Sequence, residues 1–181
     1  PAASDLAIAD KLRVFLEAEV ERSPRYQDSL RIQFGVGSLG NALMGVLGEA
    51  DIGDRDLIYC GEVIQDGLLD LIDDGVLESA SATSLALSAE GQDRLFENVD
   101  RYAEDIVLRP ADLSNSPTLV DRFGVASVNS ALEVDIYGNT NSTHVNGSQV
   151  INGIGGSGDF FRHSPLAILA LPSTAAGGDI S

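Results

Sequence analysis

A chain of 181 residues is long enough to form one complete domain with a hydrophobic core. Its net charge of −17, with one lysine and ten arginines, argues against nucleic-acid binding through phosphate neutralisation. The single cysteine, Cys60, excludes an internal disulfide and a cysteine zinc cluster, so we expect a small buried apolar residue there. No apolar run approaches the roughly 20 residues of a membrane helix. The first residues lack the basic and apolar regions of a secretory signal, so we expect none. We therefore expect a cytoplasmic globular protein.

The first half of the chain alternates between helical and strand-like patterns. At residues 5–21 apolar side chains recur every three or four positions, which is typical of an amphipathic helix. Gly75 stands where a left-handed cap would end a short helix. The predicted elements are a helix at 5–21, a strand at 31–34, a helix at 41–47, a strand at 57–60 and a helix at 68–74.

The second half continues the alternation. Ser116 followed by Pro117 is a typical start for a helix, with Ser116 as its cap. The predicted elements are a strand and a helix within 80–105, a strand at 106–108, a helix at 117–123, strands at 125–128 and 131–137, and a buried strand at 166–171. Strands alternating with helices favour an α/β fold with an open, largely parallel sheet flanked by helices.

The acidic excess also bears on the environment in which the protein works. Repulsion among so many like charges opposes a compact state, and salt screens it. At 1 M salt the Debye length falls to about 3 Å. We therefore expect adaptation to high salt.

A first glycine loop allows two interpretations. Residues 35–40 match G-x-G-x-x-G after a predicted strand, and Glu62 lies 22 residues beyond Gly40, at the end of the next strand. A dinucleotide-binding fold places an acid for a ribose hydroxyl near this position, so a nicotinamide- or flavin-dependent oxidoreductase is one alternative. A tight turn between a strand and a helix is the other. In both cases glycines let backbone N–H groups approach a ligand.

Three further segments contain residues that could take part in catalysis or ligand binding. Residues 61–73 put a carboxylate, Glu62, on a turn between a strand and a short helix. Residues 128–142 form a strand-and-turn pattern, and residues 152–160 contain a second glycine loop. No metal site is expected, because His144 has no second histidine nearby.

These segments together resemble the acetyl-CoA hydrolase/transferase family of the class I CoA transferases. The resemblance runs from about Ala7 to Ser181 and rests on four blocks in the family's order and spacing. The blocks are the GxGxxxNAL-like loop at 35–43, EVIQDGLLDLID, NSALEVDIYGNTNSTHVNG and GIGGSGDF. Four ordered blocks are far more specific than a lone glycine motif.

The resemblance implies roles for individual residues. Glu62 would be the nucleophile that becomes a glutamyl-CoA thioester, and Asn115 and Gly156 would help to hold the thioester oxygen. The CoA site would be lined by Phe34, Gly35, Val36, Gly37 and Ser38 of the first loop and by Gly155 and Gly156 of the second. Lysine is usual in the family where this chain has Ala176 and often at Asp179, which puts a CoA phosphate contact there in doubt.

The resemblance also implies a molecular context. Residues 1–181 would be the C-terminal catalytic half of a larger protein with a CoA-transferase-like fold (the NagB/RpiA/CoA-transferase type). Acyl-CoA and small carboxylic acids such as acetate or succinate would be the substrates. The reaction would need no separate cofactor, because the CoA thioester is itself a substrate. The protein would form a homo-oligomer. The alternatives are the dinucleotide-dependent oxidoreductase and a non-catalytic CoA-binding module.

Overall fold

A computed structural model of the chain describes residues 1–175 and 179–180. In this part of the chain there are eight α-helices and one 3-10 turn, Pro24–Tyr26. The helices are α1 Ala3–Arg22, α2 Ser38–Leu47, α3 Asp66–Asp73, α4 Ala89–Glu97, α5 Val99–Asp105, α6 Ala111–Ser114, α7 Pro117–Phe123 and α8 Ser157–His163.

The strands are of two kinds, namely members of one large sheet and short two-residue pairs. In chain order they are β1 Ser29–Phe34, β2 Asp56–Cys60, β3 Val63–Ile64, β4 Leu77–Ala82, β5 Ser84–Leu85, β6 Ile106–Leu108, β7 Ala126–Asn129, β8 Glu133–Val134, β9 Thr140–Asn141, β10 His144–Val145, β11 Gln149–Val150, β12 Leu166–Leu169, β13 Thr174–Ala175 and β14 Asp179–Ile180.

The large sheet is parallel throughout, with the order β12-β7-β1-β2-β4-β6. From β1 the chain adds β2, β4 and β6 on one side and then returns to the other side with β7 and β12. The strand order therefore reverses beside β1, where the carboxyl ends of β1 and β7 flank a crevice. Open parallel α/β sheets bind ligands at such crevices. The predicted open α/β sheet flanked by helices is confirmed.

Helices cover both faces of the sheet. A large apolar cluster lies under α1, α2 and α3, and it includes Tyr59 of β2. The next residue, Cys60, packs against a smaller cluster that includes Phe160 of α8. Because successive residues of a strand point to opposite faces, the two clusters lie on opposite sides of the sheet. Cys60 is half-buried rather than fully buried, and burial raises the pKa of its thiol.

The predicted strand at 131–137 is wrong. Only Glu133–Val134 is extended, and it pairs with Thr140–Asn141 in a short antiparallel hairpin outside the large sheet. The Asp135 carboxylate accepts hydrogen bonds from the backbone N–H groups of Tyr137 and Asn139, both at 2.9 Å, and so closes a turn. Ile136 at the tip is 94% exposed. The acids at the alternate positions 133 and 135 therefore mark a hairpin arm and its turn, not a strand of the large sheet.

Three smaller predictions need correction. The strand predicted as buried at 166–171 is the half-exposed edge strand β12. Residues 80–105 hold two helices, α4 and α5, where one was expected. Ser116 occupies the N-cap position of α7, but its side chain makes no capping hydrogen bond.

Two further predictions concern membrane helices and the C-terminal departures from the family pattern. Among the described residues, no helix is both long enough and apolar enough to cross a bilayer. The departure from the family pattern at Ala176 lies outside the described residues, as does the side chain of Asp179.

Asp73, the last residue of α3, links this helix to α4 and α5. Its carboxylate accepts a hydrogen bond from Arg94 Nε at 2.9 Å and another from the Tyr102 hydroxyl at 2.8 Å, and it pairs with Arg101. Burial acts to raise the pKa of Asp73, but the hydrogen bonds from Arg94 and Tyr102 outweigh it and lower the pKa below its ordinary value.

Asp73→Asn is expected to lower the free energy of unfolding by about 1–2 kcal/mol at pH 7. A carboxylate whose pKa is lowered by folding stabilises the protein above its unfolded-state pKa of about 3.9, and this contribution is lost as the pH falls through the folded-state pKa. Urea denaturation should therefore show a deficit that shrinks below about pH 4. Asp74→Asn is the control, because Asp74 is exposed and its carboxylate has no partner among the described residues. Equal deficits for the two variants would contradict the account.

Candidate active site

Glu62 lies just beyond the carboxyl end of β2, on the edge of the sheet that carries the crevice. Its backbone carbonyl accepts hydrogen bonds from the N–H and hydroxyl of Thr83, at 2.9 and 2.7 Å, and from the N–H of Ser84 at 3.1 Å. Thr83 and Ser84 follow the neighbouring strand β4. The backbone of Glu62 is thus fixed by the adjacent strand, while its side chain is half-buried.

The turn before Glu62 requires glycine. A Cβ atom at Gly61 would lie 2.2 Å from the hydroxyl oxygen of Tyr59. Tyr59 is 1% exposed, its hydroxyl donates to the Val63 carbonyl at 3.3 Å, and burial raises the pKa of the phenol. Tyr59 therefore fills the space under the turn, and only a residue without a side chain can pass over it.

The structure brings Glu62, Asn115 and Gly156 together. Asn115 Nδ2 donates to Glu62 Oε1 at 3.1 Å. A Cβ atom built on Gly156 would lie 1.9 Å from the same Oε1 and 2.2 Å from Asn115 Nδ2. Residues from three distant parts of the chain, including the junction of α6 and α7 and the start of α8, thus converge on one carboxylate oxygen.

A fourth residue, Asp159, was missed by the sequence reasoning. Its Oδ2 accepts a second hydrogen bond from Asn115 Nδ2 at 3.2 Å. Asp159 lies in the first turn of α8, three residues after Gly156. The available signal was its place in the GIGGSGDF block, where one helical turn carries a side chain back towards the glycine.

The first glycine loop lines a cavity of about 240 Å³ at the crevice between β1 and β7. All five predicted CoA-binding residues of this loop lie in its wall, namely Phe34, Gly35, Val36, Gly37 and Ser38. Gly37 has φ +115°, a conformation that favours glycine. A Cβ atom at Gly40 would lie 2.1 Å from the Gly35 carbonyl oxygen, so the third glycine lets α2 pack closely against the loop.

A second cavity of about 600 Å³ lies between the hairpin arm and the second glycine loop. Gly155 and Asp159 line it, and Gly156 stands between them beside Glu62. Asn129 and Ser130, at the end of β7, line both cavities. The side chain of Asn129 is held below the cavities by a reciprocal amide pair with buried Gln33, at 3.0 and 3.2 Å. The two cavities are therefore neighbours along the same sheet edge.

Within residues 1–175 and 179–180 no group of three or more His, Cys, Asp or Glu side chains could hold a metal ion. The acids at 133 and 135 bond to the hairpin itself: Glu133 Oε2 accepts from the Asn141 side chain at 2.9 Å, and Asp135 closes the turn.

Comparison with known proteins decides the family. Residues 91–181, half of the chain, match the acetyl-CoA hydrolase/transferase C-terminal domain. The chain belongs to the acetyl-CoA hydrolase/transferase family. It is 47% identical over 175 residues to a succinyl-CoA:acetate CoA-transferase of Clostridium kluyveri, covering 97% of this chain and 32% of that protein.

A second family relative agrees with this assignment, and a solved structure shares the fold. An acetyl-CoA hydrolase of Neurospora crassa is 42% identical over 168 residues, covering 93% of this chain and 32% of that protein. The crystal structure of a 4-hydroxybutyrate CoA-transferase from Porphyromonas gingivalis has the same fold, with a TM-score of 0.61 at 23% identity, covering 91% of this chain and 41% of that one. The chain spans about a third of the length of the curated relatives it matches.

Proposed function

We propose that the protein containing this chain moves CoA between small carboxylic acids, or hydrolyses acyl-CoA, through a covalent thioester on Glu62. The observation that carries the proposal is the convergence of Asn115 and Gly156 on Glu62 Oε1. The names of its relatives, which are CoA transferases and acetyl-CoA hydrolases, support the same chemistry. Nothing in these comparisons supports the dinucleotide alternative.

In the proposed reaction the Glu62 carboxylate attacks the carbonyl carbon of acyl-CoA. The C–S bond breaks, CoA leaves as a thiolate, and a mixed anhydride joins Glu62 to the acyl group. The thiolate sulfur then attacks Cδ of Glu62, a new C–S bond forms, and the acyl group departs as a free carboxylate. A second carboxylic acid reverses these two steps and takes CoA away. Water would instead release free CoA, which is hydrolysis.

A carboxylate is a weak nucleophile, so this chemistry depends on position more than on a base. Asn115 holds Oε1, while Oε2 accepts no hydrogen bond from the described residues and is the oxygen available to attack. When sulfur attacks Cδ, negative charge develops on Oε1, where the Asn115 amide already donates. Preorganised donors of this kind are worth a few kcal/mol in comparable enzymes.

The two cavities suggest where the substrates lie. We propose that the first glycine loop and the second cavity receive CoA and the acyl group on either side of Glu62, with Gly155 and Gly156 at the CoA thioester. No separate cofactor enters this scheme, because CoA is itself a substrate. Acetyl-CoA and succinate are the substrate class we propose, in a homo-oligomer located in the cytoplasm. Residues 1–181 would form its C-terminal catalytic half.

Isotope exchange tests the proposed function in the full-length protein. Incubated with acetyl-CoA and radiolabelled acetate alone, the protein should transfer label into acetyl-CoA. Unlabelled acetate leaves when the Glu62 thioester forms, and labelled acetate then attacks this thioester and reverses both steps, so no other substrate is needed. CoA, but not NAD, should also raise the melting temperature. CoA binding without exchange would reduce the protein to a CoA-binding module, and stabilisation by NAD alone would favour the oxidoreductase.

We also propose that the protein is adapted to high salt, because of its net charge of −17. Raising the salt from about 0.1 to 1 M shortens the Debye length from about 10 to 3 Å and screens the repulsion among the acids. The melting temperature and the affinity for CoA, itself an anion, are therefore expected to rise over this range. Full stability in dilute buffer, or tighter CoA binding there, would contradict the proposal.

A further inference from the structure

Asp159 has no part in the chemistry described so far, yet its carboxylate shares a nitrogen atom with the nucleophile. Asn115 Nδ2 donates to Glu62 Oε1 at 3.1 Å and to Asp159 Oδ2 at 3.2 Å. An amide nitrogen carries two hydrogens, so these two carboxylates use both of them.

The other end of the same amide shows what fixes its orientation. Asn115 Oδ1 is buried and has no hydrogen-bond partner in the described part of the chain. No donor therefore holds the amide oxygen in place. If the side-chain amide rotated by 180°, Oδ1 would face the two carboxylates and both hydrogen bonds donated by Nδ2 would be lost. Among the described residues, Glu62 and Asp159 are thus the hydrogen-bond partners that orient the Asn115 side-chain amide.

The two carboxylates differ once the reaction begins. Glu62 loses its charge when it becomes the anhydride and then the thioester, so its oxygen becomes a weaker acceptor for Asn115. Hydrogen bonds to charged acceptors are roughly twice as strong as neutral ones. Asp159 forms no covalent bond in the proposed cycle and keeps its charge. At the stages in which Glu62 is neutral, Asp159 is the remaining charged partner of the amide.

We propose that Asp159 is a positioning residue that keeps the Asn115 amide N–H directed at Glu62 Oε1 while Glu62 is an anhydride or a thioester. This inference rests on the proposed function. Its effect falls on the step in which sulfur, or the oxygen of an acceptor, attacks Cδ of Glu62 and charge develops on Oε1. The backbone supports this placement, because Asp159 N–H donates to the Gly156 carbonyl at 2.9 Å and ties the main chain of Asp159 to the glycine beside Glu62.

A double-mutant cycle in the full-length protein tests the inference. Asp159→Ala should lower kcat for CoA transfer roughly tenfold to a hundredfold, with a smaller change in KM for acetyl-CoA, since a misdirected donor costs less than a deleted one. In an Asn115→Ala background the same substitution should cost less than about threefold, because Asp159 acts through Asn115. Asp159→Asn keeps an oxygen acceptor and should fall between wild type and Asp159→Ala.

Asp121→Asn is the matched control. It removes one exposed negative charge from α7, the helix that packs beside α8, and its kcat should equal that of wild type. Losses that multiply in the double variant, or an unchanged kcat in Asp159→Ala, would overturn the inference. If Asp159→Ala fails to fold, the same cycle with Asp159→Asn decides. Failure of the proposed function is distinguishable, because wild type itself would then show no acetate exchange.

Discussion

Replacing Glu62 by glutamine is expected to lower kcat for CoA transfer by at least about 10³-fold. The amide is nearly isosteric with the carboxylate and can still accept from Asn115, but its nitrogen cannot form the anhydride, so the covalent route is lost. Glu62→Asp keeps the carboxylate but shortens the side chain by one methylene, so the carboxylate lies farther from the substrate. A misplacement of about 1 Å can cost 10²-fold, so aspartate should retain only residual activity. Steady-state kinetics with acetyl-CoA and succinate measure both effects.

The control for this prediction is Glu49→Gln, which makes the same chemical change at an exposed acid whose carboxylate has no partner among the described residues. Its kcat should match that of wild type, and thermal melts should show all three variants folded. Transfer activity in Glu62→Gln within about tenfold of wild type would mean that another group attacks the thioester.

Gly156→Ala should produce the second large effect. The added methyl carbon would stand 1.9 Å from Glu62 Oε1 and 2.2 Å from Asn115 Nδ2, well inside van der Waals contact. Neither the nucleophile nor the donor can keep its place, so kcat should fall by about 10²-fold or more. The fold should survive, because the carboxylate and amide that must move are only half-buried.

Gly153→Ala is the matched control for this loop. A Cβ atom at Gly153 would meet nothing within 4 Å, and its backbone needs no left-handed conformation. Its kinetics should be those of wild type. If both alanine variants behave alike, the close approach of Gly156 to Glu62 has no catalytic importance.

Much of this site was predictable from sequence, because its residues lie in motifs whose order is specific. Glu62, Asn115 and Gly156 were singled out through the family resemblance, and the fold brings them within contact of one oxygen atom. Their catalytic roles remain a prediction. The parallel sheet was also predictable, since short buried strands alternate with amphipathic helices and loops that carry glycine.

Other features of the fold and the site could not be predicted, because they depend on which residues contact each other in the folded chain. The arm at Glu133–Val134 has a strand-like alternation, but pairing and burial decide which alternating segments join a sheet. Here the partner strand lies six to eight residues later in the chain. The half-exposure of β12 follows from its edge position. Asp159 was not predictable from sequence, because its link to the site is a shared partner, Asn115, 44 residues away in sequence.

Trapping the covalent intermediate would show whether Glu62 forms a thioester with CoA. The full-length protein would be incubated at high salt with acetyl-CoA, treated with borohydride and digested for mass spectrometry. We expect Glu62 to be reduced to the alcohol in wild type, while Glu62→Gln and a sample without acetyl-CoA remain unmodified. An intact Glu62 in a protein that binds and turns over acetyl-CoA would contradict the thioester mechanism.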